Sequence, residues 1–207
     1  GRWIWILFAG RAADRTVQGR VLRIAGVAMD VNAQKALEQQ LRSAARTDDL
    51  TALPNRTVML ELIRTAIERH RTEPGYHFAV LFMDFDRFKQ VNDTLGHTVG
   101  DGLLRQIARR LEDSLRLGDA FTLGDDFEKV AARIGGDEFV VLLDGIRGDL
   151  DAIHVASRLL DTLAVPYTVE GHRVISTVSI GIVTSAHAEP DADSVLRDAD
   201  IAMYEAK

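Results

Sequence analysis

Four carboxylates in this 207-residue chain have the spacing to hold a metal ion. Two close an apolar run, "HFAVLFMDFD", as Asp84 and Asp86. If that run is a strand, alternation sends both to the same face. The other two are adjacent, Asp137 and Glu138, directly after Gly135-Gly136 in "ARIGGDEFVVLLD". A regular strand would point these two to opposite faces. One carboxylate from each strand, joined by a backbone carbonyl, makes a hard oxygen donor set of the kind Mg²⁺ accepts while it keeps water or phosphate oxygens in its shell. Two glycines at the turn would let a ligand approach the backbone. Either pair alone would read as solvated strand-end acids, but both pairs beside a Gly-Gly turn favour a phosphate–metal site.

The stretch "FDRFKQVNDTLGHTVGDG" adds Lys89, Asn92, Asp93, His97 and Asp101. Guanine's Watson–Crick edge presents two adjacent N–H donors that one carboxylate accepts together, and an amide can both donate and accept beside it. Asn92 and Asp101 have the chemistry to read a purine, although spacing does not establish it. His97 has no second His or Cys at metal-ligand spacing and reads as a turn or capping residue. Lys207 could meet a phosphate or simply complement a helix dipole.

The elements that must carry these residues follow from periodicity. "LPNR" breaks the chain, and Asn55 is placed to cap a helix running to about Arg71, with Val58, Leu62, Ile63, Ala66 and Ile67 on its apolar face. The run before Asp84 reads as a strand buried on both faces. A helix-turn-helix stretch follows, with "DTLGHTVGDG" as the break and Leu103 to Leu117 the second helix. The Gly-Gly hairpin follows, then a helix from Leu150 to Leu163. "YTVEGHRVISTVSIGIVTS" reads as one hairpin turning around Glu170 to His172, and a last helix runs from Ser194 to Lys207. This order predicts an α/β (α+β) fold, a mostly antiparallel sheet covered by helices.

Upstream, residues 1–31 read as two strands joined by a polar turn around Thr16 to Gly19. From Asn32 to about Arg46 a helical pattern with a narrow Leu37, Leu41, Ala44 seam suits a connector or a dimerising stalk. The first residue is not Met and the last lies inside a helical pattern, so the chain reads as part of a longer protein.

Composition narrows the function. A net charge of −6 argues against a general nucleic-acid binder. With no cysteine there is no disulfide, thiolate metal site or thiol nucleophile, which is compatible with a cytoplasmic location. The apolar stretch from Trp3 to Ala9 is too short to span a bilayer.

From about Asp48 onward, "DDLTALPNR", "FMDFDRFKQVNDTLGHTVGD", "ARIGGDEF", "VSIGI" and "DADIAMYEAK" together resemble the GGDEF diguanylate cyclases. The resemblance implies a ferredoxin-like, nucleotide-cyclase-like fold and the condensation of two GTP molecules into cyclic di-GMP with release of pyrophosphate. By position, Asp84, the Phe85 carbonyl and Asp137 would hold Mg²⁺ or Mn²⁺, with Glu138 as the second acid of the centre. Asn92 and Asp101 match guanine-binding positions, His97 a neighbouring substrate contact, and Lys207 a lysine holding the terminal phosphates. Gly135 and Gly136 would admit the triphosphate. Catalysis would require a homodimer, each copy bringing one GTP. The alternative is a GTP-binding, catalytically weak module that regulates a cyclic di-GMP phosphodiesterase domain of the same protein.

Residues 1–31 resemble the end of a PAS sensor domain, which makes 32–47 a connecting helix and 48–207 the GGDEF domain. Two departures stand out. The family's inhibitory product site, R-x-x-D, lies five residues before the Gly-Gly; here "RLGD", Arg116 to Asp119, is separated from Gly135 by residues 120–134. A looped-out insertion would let Arg116 and Asp119 keep that role. Ala52 also stands in "LTALPNR" where the family commonly has Gly.

Overall fold

The computed structural model describes residues 4–33, 46–117, 128–188 and 191–207. The chain divides into two compact units, 1–45 and 46–207.

The first unit contains an antiparallel pair, β1 (Ile6–Arg15) and β2 (Val21–Asp30), joined through a turn in which Gly19 N–H donates to the Thr16 carbonyl at 2.8 Å. Trp5 N–H donates to Asn32 Oδ1 at 2.9 Å and closes the open end. Large apolar side chains stand exposed on both faces: Ile6, Phe8 and Ile24 on one, Leu7, Val27 and Met29 on the other. A strand pair with two apolar faces is not stable in water by itself. The connecting helix expected over 32–46 lies mostly outside the described residues.

The second unit is built on a four-stranded antiparallel sheet. Its order is β4 (Glu128–Gly135), β5 (Glu138–Ile146), β3 (His77–Phe85), β8 (Val178–Thr184). β3 is central, pairing β5 on one side and β8 on the other, so it needs apolar side chains on both faces and has them. Leu81, Met83 and Phe85 face a core completed by α3 (His97–Leu117) and α4 (Asp149–Leu163). Phe78, Val80 and Phe82 face α1 (Arg56–Thr72) and α5 (Ala192–Ala206). The expected helix-covered antiparallel sheet is therefore observed. Asn55 caps α1, its Oδ1 accepting from Thr57 N–H at 3.1 Å and Val58 N–H at 3.3 Å.

Two sequence readings need correction. The break over "DTLGHTVGDG" is a single residue: α2 (Phe88–Leu95) ends at Gly96, with φ 87°, and α3 begins at His97 rather than Leu103. Gly100 and Gly102 are helical. Their use is close approach, because an added methyl at Gly102 would lie 2.5 Å from Val169 Cγ1 and one at Gly100 would run into Asn92. Likewise "YTVEGHRVISTVSIGIVTS" is not one hairpin. A short hairpin, β6 (Tyr167–Val169) and β7 (His172–Val174), stands apart, and β8 leaves it to pair with β3. The separation is fixed at Thr177, whose carbonyl accepts from Asp86 N–H at 2.9 Å.

Among the described residues, no helix is long and apolar enough to cross a membrane.

Candidate active site

The carboxylates gather where β3 ends and β5 begins. Asp84 is directly opposite Glu138 on β5 and Ser179 on β8, so these three share the sheet face covered by α1 and α5. Asp137 sits in the two-residue turn, Gly136-Asp137, between β4 and β5. Phe85 points to the other face, buried and edge-on to Phe139 with ring centroids 5.7 Å apart, which fixes the main chain beside Asp84.

The electrostatics of this group are those of crowded acids met by one ammonium. Lys207 Nζ donates to Asp84 Oδ1 at 2.6 Å, and this contact holds the lysine above its usual pKa. Burial, and then the charge of Asp84, push the Asp137 carboxyl up, with Lys207 and Arg133 opposing. Burial, and then Asp200, Asp84 and Asp137, push Glu138 up as well. Repulsion of this kind favours a cation between the acids. Asp84, Asp137 and the Phe85 carbonyl are all hard oxygen donors and suit Mg²⁺ or Mn²⁺ chemically. Among the described residues, no group of three His, Cys, Asp or Glu side chains is arranged as an ion site, so two carboxylates and a carbonyl are the set to consider.

Asp86 has a different place. Its carboxylate accepts from Thr177 Oγ1 at 2.5 Å and Ser179 Oγ at 3.2 Å, stitching the exit of β3 to the start of β8. The chain then enters α2 through Arg87, a non-glycine residue with φ 61°. Such a conformation is costly for a side-chain-bearing residue and persists only where its surroundings impose it.

The turn itself is open. A methyl group added at either Gly135 or Gly136 would meet nothing within 4 Å, so internal packing does not demand glycine there. Gly136 has φ 52°, which favours glycine, and the space above both residues leaves room for a ligand against the backbone.

Sequence reasoning missed what holds this turn. The Arg133 guanidinium donates through Nη1 to both oxygens of Asp48, at 2.9 and 3.0 Å, and through Nε and Nη2 to the Gly136 carbonyl, at 3.0 and 2.7 Å. Asp48 also accepts from Thr51 N–H at 2.9 Å and Thr51 Oγ1 at 2.7 Å. Burial acts to raise the Asp48 carboxyl, but Thr51 and Arg133 together outweigh it and hold it below the usual range. The loop carrying Asp48 is pinned to β4 a second time, where Arg133 N–H donates to the Pro54 carbonyl at 3.0 Å. Tightness in this loop forces Ala52 to φ 61°. The signal available in the sequence was the Asp-x-x-Thr spacing of Asp48 and Thr51, which permits a side-chain-closed turn.

The helical residues form a second group. Asn92, half-buried on α2, lies against Gly100 on α3; Asp101 is the next residue and is exposed, as is His97 at the start of α3. Among the described residues, no hydrogen bond or ion pair joins this group to the carboxylates. Arg116 is exposed near the end of α3, 3.7 Å from Glu112 Oε2, and Asp119 lies outside the described residues. A cavity of about 270 Å³ between α3 and β4 is lined by Arg116, Glu112, Lys129 and Ala131, among others. Burial, and then the neighbouring Arg158, bring the Lys129 ammonium down to about 8.

Residues 45–207 match the family model described as "Diguanylate cyclase, GGDEF domain". The chain belongs to the GGDEF family. Among curated GGDEF relatives, diguanylate cyclase TpbB of Pseudomonas aeruginosa is 39% identical over 169 residues, covering 81% of this chain and 36% of TpbB. Cyclic di-GMP phosphodiesterase PdeR of Escherichia coli is 36% identical over 179 residues, covering 86% of this chain and 25% of PdeR. The chain thus spans about a quarter to a third of these curated relatives. The solved GGDEF domain of TpbB superposes with a TM-score of 0.69 at 35% identity, over 78% of this chain and 88% of that one.

Proposed function

We propose that the second unit is a diguanylate cyclase that joins two GTP molecules into cyclic di-GMP and releases two pyrophosphates. The observation that carries this reading is the meeting of Asp84, Asp137, Glu138 and Lys207 beside the open backbone of Gly135-Gly136. An intact acid set next to space for a phosphate chain is what nucleotidyl transfer requires and what a passive scaffold has no use for.

In this mechanism Asn92 and Asp101 hold guanine, the triphosphate runs over the Gly-Gly turn, and Lys207 turns from Asp84 to the terminal phosphates. Asp84, Asp137 and the Phe85 carbonyl would hold a divalent ion. When bound, it neutralises phosphate charge and lowers the pKa of the attacking hydroxyl. The 3′-oxygen of one GTP forms a bond to the α-phosphorus of the other as the bond to the pyrophosphate oxygen breaks. Glu138 is the acid we assign to receive the hydroxyl proton. Each chain supplies one GTP, so the reaction belongs to a homodimer in which two sites face each other. We read residues 1–31 as the end of a PAS sensor domain and 32–47 as the connector through which it controls that dimer. We place the chain in the cytoplasm, where GTP is available.

Incubating the dimeric protein with GTP and Mg²⁺ and assaying cyclic di-GMP tests the reading. Product formation is expected; a dimer that binds GTP and makes none would sink it. That second outcome would leave a GTP-binding regulatory module, the reading favoured by the similarity to the phosphodiesterase PdeR.

A further inference from the structure

We infer that Gly100 is a positioning residue for guanine recognition, acting through Asn92. The inference rests on the assignment of Asn92 and Asp101 to the guanine pocket and goes beyond it, because it gives a role to a residue that touches no nucleotide.

Gly100 is buried in the first turn of α3, its N–H donating to the Gly96 carbonyl at 3.2 Å. Its φ is ordinary for a helix, so conformation does not call for glycine. Helix propensity argues against it, since glycine in a helix interior costs about 1 kcal/mol relative to alanine. What calls for glycine is space. A methyl group built on Gly100 would overlap Asn92 Oδ1, stand 3.0 Å from Asn92 Cγ and lie 3.3 Å from Phe88 Cζ. The atom that would have to move is the end of a short side chain. Phe88, behind it, is buried and has little freedom. An alanine here therefore turns the Asn92 amide away and leaves the fold standing.

The neighbouring glycine sharpens the point. Gly102 also sits in close approach, but to Val169 of β6, on a different element. Asp101 is thus flanked by two residues without side chains. Gly100 admits the amide from α2, and Gly102 seats the helix on β6. An amide and a carboxylate that read one base edge must keep their relative position within a fraction of an ångström, and Gly100 lets α2 come that close to Asp101.

The test is a double-variant cycle on the full chain. Isothermal titration would use the α,β-methylene analogue of GTP, which cannot be turned over, and its adenine counterpart. Gly100→Ala is expected to weaken the guanine analogue by about tenfold, the size of one or two lost hydrogen bonds, and to leave the adenine analogue unchanged. Asn92→Ala should do the same. Because both act through one amide, the double variant should bind no more weakly than Asn92→Ala alone and should melt higher than Gly100→Ala, since the overlap is gone. Gly102→Ala should combine additively with Asn92→Ala. Guanine binding unaltered by Gly100→Ala, or additive losses in the double variant, would overturn the inference. The melting comparison reads the overlap itself; if Gly100→Ala folds too poorly to titrate, the double variant still reads the coupling, and guanine affinity below that of Asn92→Ala would overturn the inference. A wild-type chain that binds neither analogue would overturn the guanine-pocket assignment first, and this inference with it.

Discussion

Arg133 grips Asp48 with one edge of its guanidinium and the carbonyl of Gly136 with the other. The loop that begins the second unit and the turn of the Gly-Gly hairpin are therefore two ends of one hydrogen-bonded chain. Both side chains are largely sheltered, Arg133 at 12% exposure and Asp48 at 22%. Replacing Arg133 by Ala strands a sheltered carboxylate and frees the turn, and should cost about 1–3 kcal/mol in urea denaturation. Arg133→Lys keeps the charge but cannot serve both partners, so it should recover only part of that stability.

The same pair has a signature in pH. Asp48 titrates below its ordinary value of 3.8 when folded, so the pair contributes fully above about 3.8 and is lost as pH falls through the lower folded value. Asp48→Asn should flatten the acid limb of a stability–pH curve in that window and leave its slope at neutral pH untouched.

Ala52 offers a gain. It is exposed and held at φ 61°, a conformation that a side-chain-bearing residue adopts at a cost. Ala52→Gly should stabilise the fold by about 0.5–1 kcal/mol after glycine's greater unfolded-state freedom is deducted. A higher denaturation midpoint with an unchanged m-value would show it.

For Asp137, stability and activity should move in opposite directions. Burial and Asp84 raise its folded pKa, so in the metal-free protein it destabilises the fold increasingly as pH rises from 3.8 through that folded value. At neutral pH, Asp137→Asn should melt no lower than wild type when divalent ions are absent, and should abolish cyclic di-GMP synthesis when Mg²⁺ is supplied. Lower stability without lost turnover would remove Asp137 from the proposed centre.

Arg116 is exposed, and its contact with Glu112 is a surface pair of little energetic weight. Arg116→Ala should leave the melting temperature within a degree or two, yet relieve inhibition by added cyclic di-GMP. An unchanged inhibition curve would mean that "RLGD" is not used.

What the sequence made legible was governed by short-range pattern. The doubly buried strand ending at Asp84, the cap at Asn55 and the turn at Gly136 each follow from a few neighbouring residues. The errors have one cause. Gly100, Gly102 and the Ser176–Thr177 corner take their meaning from partners on other elements, and a glycine needed for close approach looks the same in sequence as one needed for a turn. Asp48 and Arg133 escaped for the same reason, being 85 positions apart. Asp86 looked equivalent to Asp84 because alternation cannot tell which of two strand-end acids will find hydroxyl donors across the sheet.

Gly181 lies in the middle of β8, where a side chain would collide with the backbone of α5 at Ala199 and Met203. That helix carries Lys207 to Asp84, so its seating height on the sheet sets the reach of the lysine. A substitution at Gly181 would lift the helix and look, in a screen for lost activity, like damage to the catalytic residues themselves. A genetic map of this domain should therefore place one of its most sensitive positions at a residue with no functional group.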